Sequence, residues 1–276
     1  MPGAEIKVLD KALQVMDLLA RSGKGMKAPE VAEALSLPRS TAVRILGVLE
    51  SHDVVRKDRG VAFLSGTRLL WWETCYRIEI EPSKAIKPCL ERIRDLTSET
   101  AHFSVLVGDR TVVVEQAASL HVTSSRQHLG SSAPLNAGAS GRVALSYLSD
   151  KERRRFLSCR NLERLTTRTI TDKTMLEREI QIYRDRGFAI SRGERVPNTT
   201  SVAVGVLSKS GEIFGLLSVI GPSDRLNKNR CNFISEVLLK EVKSLSQTLE
   251  TARGDTGGSA RKSVDHTLGS RGVLGK

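Results

Sequence analysis

Apolar residues return every three or four positions over IKVLDKALQVMDLLAR, residues 6–21, where Ile6, Leu9, Leu13, Met16 and Leu19 or Ala20 share one helical face. The Gly-rich SGKGMK of residues 22–27 breaks that pattern. Residues 28–50, APEVAEALSLPRSTAVRILGVLE, then carry two short helical stripes about an SLP triplet. Val31, Ala32 and Leu35 form the first and Ala42, Ile45, Leu46 and Leu49 the second; Pro38 suits the first turn of the second helix. Over VVRKDRGVAFLSG, residues 54–66, the period shortens to two β-type runs about a polar DRG turn, which predicts a hairpin. TRLLWWETCYRIEIE, residues 67–81, reads as a further helix with both tryptophans side by side. Adjacent positions on a helix point about 100° apart, so at least one of Trp71 and Trp72 needs a partner surface.

Pro82 and Pro88 bracket an expected boundary, after which Ile86, Leu90, Ile93 and Leu96 open a second domain on an amphipathic helix. AHFSVLVGDRTVVVEQAA, residues 101–118, is two strands about Gly108–Asp109. A third strand is expected around 121–127, a loop and then a helix from near Ala137, and a short charged helix over DKERRRFLS. A helix over 171–188 has Thr171 and Asp172 as caps and ends at Gly187. Residues 201–222 form a second hairpin about Lys209 to Gly211, a long helix follows from about Asn227 to Ala252, and the Gly- and Ser-rich residues 254–276 read as a disordered tail. The layout is α+β, a mainly antiparallel sheet with helices, preceded by a small helical unit.

The second helix of the 28–50 pair hides one face and presents Arg39, Ser40, Thr41 and Arg44 near its start. Such a surface suits the DNA major groove, where arginine can donate two bonds to guanine and hydroxyls can meet base or phosphate. Taken alone, the pair could equally be scaffolding. The hairpin that follows carries Arg56, Lys57 and Arg59 at its tip, and a helix pair followed by a basic hairpin is the winged form of the helix-turn-helix. Its charges would lie against phosphate or the minor groove.

Composition bounds the reading. A chain of 276 residues with 39% hydrophobic content supports two domains and a packed core, and no apolar run approaches a membrane span. The N-terminus lacks an apolar signal segment, which places the protein in the cytoplasm. A formal net charge of +12 favours a polyanionic partner, although the excess is spread along the chain. Cys75, Cys89, Cys159 and Cys231 lie far apart, with no CxxC and no completed zinc pattern, so we read reduced structural thiols and expect neither metal nor cofactor.

In order and spacing, KALQVMDLLA, PEVAEALSLPRSTAVRILGVLE with its wing, PLNAGASGRVAL and GEIFGLLSVIGPSDRL resemble the IclR-type family of bacterial transcription regulators, over about residues 6–252. The resemblance implies a winged helix-turn-helix over 1–66, a linker helix over 67–81, a GAF-like effector-binding domain over 82–253 and the tail over 254–276. It implies a homodimer or homotetramer on a double-stranded operator, most often as a repressor, controlled by a small carboxylic or aromatic acid. Several positions depart from the pattern: Ser36 stands where the helix-turn-helix usually has Gly and fits if the turn is not left-handed there; Asn136 replaces a His; Arg142 replaces a Lys; and AFLSG stands where the wing more often ends in Tyr-x-Leu-Gly.

For the effector, NAGASG leads into a helix whose free N–H groups would favour a carboxylate, although a Gly-rich loop by itself only turns the chain. The resemblance closes the pocket with this loop and the second hairpin, bringing in Asn136, Ala139, Ser140, Ser201 and Ser218, with Ser191 and Glu194 from the preceding segment. The competing reading is a small-molecule enzyme or sensor built on the same pocket. His102, His121 and His128 lie near strands, yet no GxSxG elbow, Walker loop, GxGxxG or metal motif is present, and a bare sensor leaves the helix-turn-helix unexplained.

Overall fold

The structure, a computed structural model, describes residues 6–79, 83–121, 127–159, 162–208 and 211–252. The chain divides between residues 80 and 81 into two compact units. The tail over 254–276 and nearly all of the strand expected around 121–127 lie outside the described residues, as do Pro82 and the Lys209–Ser210 part of the second hairpin turn.

In the first unit, α1 (Lys7–Ser22) packs with the pair α2 (Ala28–Ala34) and α3 (Arg39–Ser51) around Val15, Leu19, Val31, Ala32, Ala42, Ile45, Leu46 and Leu49. The stripe expected along α1 is only half covered. Met16 packs on the core, but Ile6, Leu9 and Leu13 are exposed, because no described element of the unit reaches the N-terminal turns of α1. The Gly-rich break holds a two-residue strand, β1 (Met26–Lys27), which joins β3 (Val61–Phe63) and β2 (Arg56–Asp58) in a small sheet ordered β1-β3-β2. Arg59 and Gly60, with φ of 48° and 77°, supply the two left-handed residues that a tight hairpin turn requires. Helix α4 (Thr67–Glu79) follows within the same unit.

The turn between α2 and α3 corrects one expectation. Ser36 is left-handed, φ 51°, and Leu37 N donates to the Ala32 carbonyl at 2.8 Å, the six-residue closure of a Schellman motif. Serine therefore occupies the conformation glycine prefers. Pro38 sits one place earlier than expected, as the N-cap of α3.

In the second unit, α5 (Ser83–Thr97) leads into β4 (Thr100–Val107) and β5 (Arg110–Ala117). Pro88 lies inside α5 rather than at a boundary; the lost bond is to Lys84, whose carbonyl sits in an exposed first turn, so the helix tolerates it. Leu96, expected on the apolar face, is exposed, whereas Ile86, Leu90 and Ile93 are buried. Next come β6 (Ser132–Pro134), α6 (Ala139–Tyr147), α7 (Asp150–Cys159), α8 (Lys173–Arg186), β7 (Ala189–Arg192), β8 (Thr199–Leu207), β9 (Ile213–Pro222) and α9 (Lys228–Ala252). Asp172 caps α8 by accepting from Met175 N, and Gly187 closes it left-handed. Strands β6 and β7 carried no clear period: they are three and four residues long and sit at the two sheet edges.

The six strands form one antiparallel sheet ordered β6-β5-β4-β9-β8-β7. Because side chains alternate along a strand, the sheet has two different faces. Val202, Val204, Val206, Leu217, Val219 and Phe103 pack with residues of α5 and α9 such as Leu90, Ile93, Ile234 and Leu238. Ala189, Ala203 and Leu216 pack under α6 and α8 with Val143, Leu145, Leu176 and Ile180. Ser191, Ser201, Ser218 and His102 lie on this second face, through the registers Ser191↔Ser201, Ala203↔Ser218 and His102↔Ser218. No helix among the described residues is long and apolar enough to cross a membrane.

Candidate functional site

Helix α3 buries Ala42, Ile45, Leu46 and Leu49, which turns the other side of its first two turns outward. Arg39, Ser40 and Arg44 are exposed there, and Thr41 is half-buried. Neither Arg39 nor Arg44 makes an ion pair among the described residues. Val43 is also 56% exposed between them, a residue the charge pattern gave no reason to single out. A branched apolar group beside two arginines could pack on a thymine methyl.

The wing is less uniform than its sequence. Arg59 stands at the turn, and Arg56 lies over the Phe63 ring, 5.6 Å from its centroid. The Lys57 ammonium does not extend into solvent: it pairs with Glu50 of α3 at 2.5 Å and ties the wing to the end of the helix.

In the second unit, a cavity of about 30 Å³ lies between the sheet and the start of α6. Five of the residues expected at an effector site line it: Ala139, Ser140, Ser191, Ser201 and Ser218. Gly138 is the N-cap of α6 and no side chain caps the first turn, so its amides are available at the cavity. Gly141, three residues on, lets the start of α6 pack on the loop, since a Cβ there would collide with the Leu135 carbonyl.

Asn136 and Glu194 do not line the cavity. The Asn136 amide is buried and donates to the carbonyls of Glu163 and Ile170, at 2.9 and 3.0 Å, pinning the chain between α7 and α8 to the loop. Glu194 is held by the buried Arg142, with both carboxylate oxygens 2.6 Å from the guanidinium, and one oxygen also accepts from Gly138 N at 3.2 Å. Its charge is thus already matched, and it acts on the cavity only through the position of the loop. The same ion pair floors a wider recess of about 420 Å³ that includes Tyr183, Arg186 and Phe188.

Two further residues face the smaller cavity. Arg195 donates to Gln127 Oε1 at 2.8 Å and to the Ser132 carbonyl at 3.2 Å; burial, and then the nearby charge of Arg110, lower its pKa to about 10. His102 is 2% exposed, and burial first and Arg195 second lower its pKa to about 4, so the ring is neutral. Arg195, one of two arginines in the RGERVPN segment, gave no signal of its own; its partial burial is visible only once the chain is folded. Cys89 and Cys231 are buried with thiol pKa values raised chiefly by burial, so neither is an activated nucleophile; Cys75 is half-buried.

Residues 8–59 match the family model of the IclR helix-turn-helix domain, and residues 77–247 match that of the bacterial transcriptional regulator IclR C-terminal domain. The HTH-type transcriptional regulator BhcR of Paracoccus denitrificans is 28% identical over 242 residues, 87% of this chain and 86% of that protein. The HTH-type transcriptional repressor AllR of Escherichia coli K12 is 24% identical over 257 residues, 90% of each. The fold is also that of an IclR homologue from Microbacterium hydrocarbonoxydans solved in complex with 4-hydroxybenzoate, with a TM-score of 0.68 at 21% identity over 88% of this chain and 99% of that one. The two matched domains, in this order and over most of the chain, make it a member of the IclR family of bacterial transcriptional regulators.

Proposed function

We propose that the protein is a cytoplasmic, sequence-specific repressor that binds a double-stranded operator as a homodimer or homotetramer and responds to a small carboxylic or aromatic acid. The observation that carries the DNA half is the start of α3: two exposed arginines without carboxylate partners flank hydroxyls and Val43 on a helix whose other face is fully packed. Arg39, Ser40, Thr41 and Arg44 are the base and phosphate contacts in this reading. Arg56 and Arg59 add salt-sensitive, sequence-blind affinity, and Lys57 contributes only if it leaves Glu50. The residue division is 1–66 for the winged unit, 67–81 for the linker helix, 82–253 for the effector domain and 254–276 for the tail. AllR is named a repressor, which supports the sign of regulation.

For the effector, Ala139, Ser140, Ser191, Ser201 and Ser218 are the polar and close-approach contacts, with Asn136 and Glu194 holding the loop. The acid bound to the Microbacterium homologue supports an organic acid as the class. Effector binding alters the spacing of two reading heads that must meet half-sites about 34–36 Å apart, or a multiple of that, and linkage requires DNA to change effector affinity by the same factor.

Fluorescence anisotropy against the upstream intergenic duplex and a scrambled duplex, at fixed salt, tests the first half. A large excess of affinity for the native duplex, lost in Arg44→Ala, is expected; equal and strongly salt-dependent binding to both duplexes would show that only positive charge is being read. Isothermal titration with small acids on wild type and Ser218→Ala tests the second half, and unchanged affinity removes Ser218 from the site.

A further inference from the structure

The smaller cavity contains one positive charge that the fold does not neutralise. Arg195 is half-buried, and both of its hydrogen-bond partners, Gln127 and the Ser132 carbonyl, are neutral. The neighbouring Arg110 has its own counter-ion in Glu163, 3.0 Å away, and also donates to Ser132 Oγ. No carboxylate among the described residues pairs with Arg195. A partly buried, unpaired charge is unfavourable, so a stable fold keeps one where an anion from outside completes it.

The cavity also contains an unmet hydrogen-bonding atom. His102 Nε2 is buried with no partner. Gln116 stands opposite His102 on β5, and its side chain is the polar group of that strand that bears on the imidazole. In the neutral tautomer protonated at Nδ1, Nε2 offers a bare lone pair. The charge of Arg195 reaches the ring and disfavours the imidazolium, so the ring stays neutral.

Together these define more than an acid. We propose that the effector is a short hydroxy-monocarboxylate whose carboxylate pairs with Arg195 and whose hydroxyl donates to His102 Nε2. The proposal rests on the cavity being the effector site. One uncompensated cation matches one carboxylate; a dicarboxylate would bring a second charge into a space with no second cation to meet it. A deoxy acid would leave the imidazole nitrogen buried and unpaired, which is the stronger source of discrimination in a small polar site.

Isothermal titration of the full chain with lactate and 3-hydroxypropionate against propionate and succinate reads this directly. At least one hydroxy acid should bind ten times or more tighter than propionate, and succinate should bind no better than propionate. Arg195→Gln should weaken every acid at least tenfold, and His102→Leu should bring hydroxy and deoxy acids to the same affinity. Equal binding of lactate, 3-hydroxypropionate and propionate to wild type overturns the role of His102 without need of a variant. If Ser218→Ala weakens an acid that Arg195→Gln does not, the cavity reading stands and this inference falls. If no acid binds wild type and none responds to Ser218→Ala, the cavity reading itself fails.

Discussion

Arg142 and Glu194 face each other inside the second unit, with Nη1 and Nη2 each 2.6 Å from a different carboxylate oxygen and neither side chain more than 7% exposed. The third donor, Nε, faces Glu179 at 3.3 Å, and Nη2 also reaches the Ile190 carbonyl. The pair is a strut between α6 and the segment after β7, and Glu194 extends it to Gly138 N at the mouth of the small cavity.

Removing one partner of a buried pair strands the other. Arg142→Met should destabilise the protein by about 3–5 kcal/mol, because Glu194 would stay buried without its cation. Arg142→Met with Glu194→Leu should recover a large part of that loss, since both charges go together. Urea unfolding of the two variants measures it, and a single-variant loss under about 1 kcal/mol would show that the strut relaxes or hydrates.

His102 gives the stability a pH dependence of fixed sign. Its folded pKa, about 4, lies below the ordinary 6.5, so the unfolded chain takes up the proton first. The neutral ring's contribution is complete above pH 6.5, is lost as pH falls towards 4 and changes no further below that. Between pH 7.5 and 5 this amounts to about 2 kcal/mol. Wild type should therefore lose about that much more stability than His102→Gln over the same interval, measured by urea unfolding at the two values. Parallel curves for the two proteins would mean that the ring protonates in the folded state.

The backbone plan could be read from the chain because its signals are local. Apolar returns at Ala42, Ile45, Leu46 and Leu49 set α3, and Gly108–Asp109 set the β4–β5 hairpin. What could not be read arises from contacts distant in sequence. Glu194 and Ser191 stand three residues apart, yet Ser191 faces the cavity while Glu194 is turned to Arg142, 52 residues earlier. Lys57 looks like its neighbours Arg56 and Arg59 until Glu50 is placed beside it. Arg195 and His102, 93 positions apart, acquire meaning only when β4 and the turn after β7 meet over one cavity.

The exposed apolar residues of the first unit predict self-association. Leu70, Trp71, Trp72 and Tyr76 are 44–68% exposed along α4, and Ile6, Leu9 and Leu13 are 53–66% exposed along α1. An aromatic strip of this kind is unfavourable in water unless covered, and large aromatics near the centre of an interface carry much of its energy. Trp71→Ser with Trp72→Ser should weaken the oligomer at least tenfold in sedimentation equilibrium while leaving the far-ultraviolet circular dichroism unchanged. An oligomer of unaltered strength would move the interface elsewhere.

Ser36 offers a gain rather than a loss. It holds φ 51° at the C-terminal side of α2, exposed, with Leu37 N closing onto the Ala32 carbonyl. A residue with a Cβ is strained there by about 1–2 kcal/mol, whereas glycine is not. Glycine in turn leaves the unfolded chain freer, which takes back part of the benefit. Ser36→Gly should therefore stabilise the first unit by about 0.5–1 kcal/mol. The turn also fixes the angle at which α3 leaves α2, and a strained residue lets that angle vary. If strain at Ser36 keeps the reading helix adaptable, the glycine variant gains stability and changes its ratio of native to scrambled duplex affinity. If the turn only connects, the melting temperature rises and the ratio stays fixed. Thermal unfolding beside the anisotropy titration separates the two, and a variant no more stable than wild type would remove the strain argument altogether.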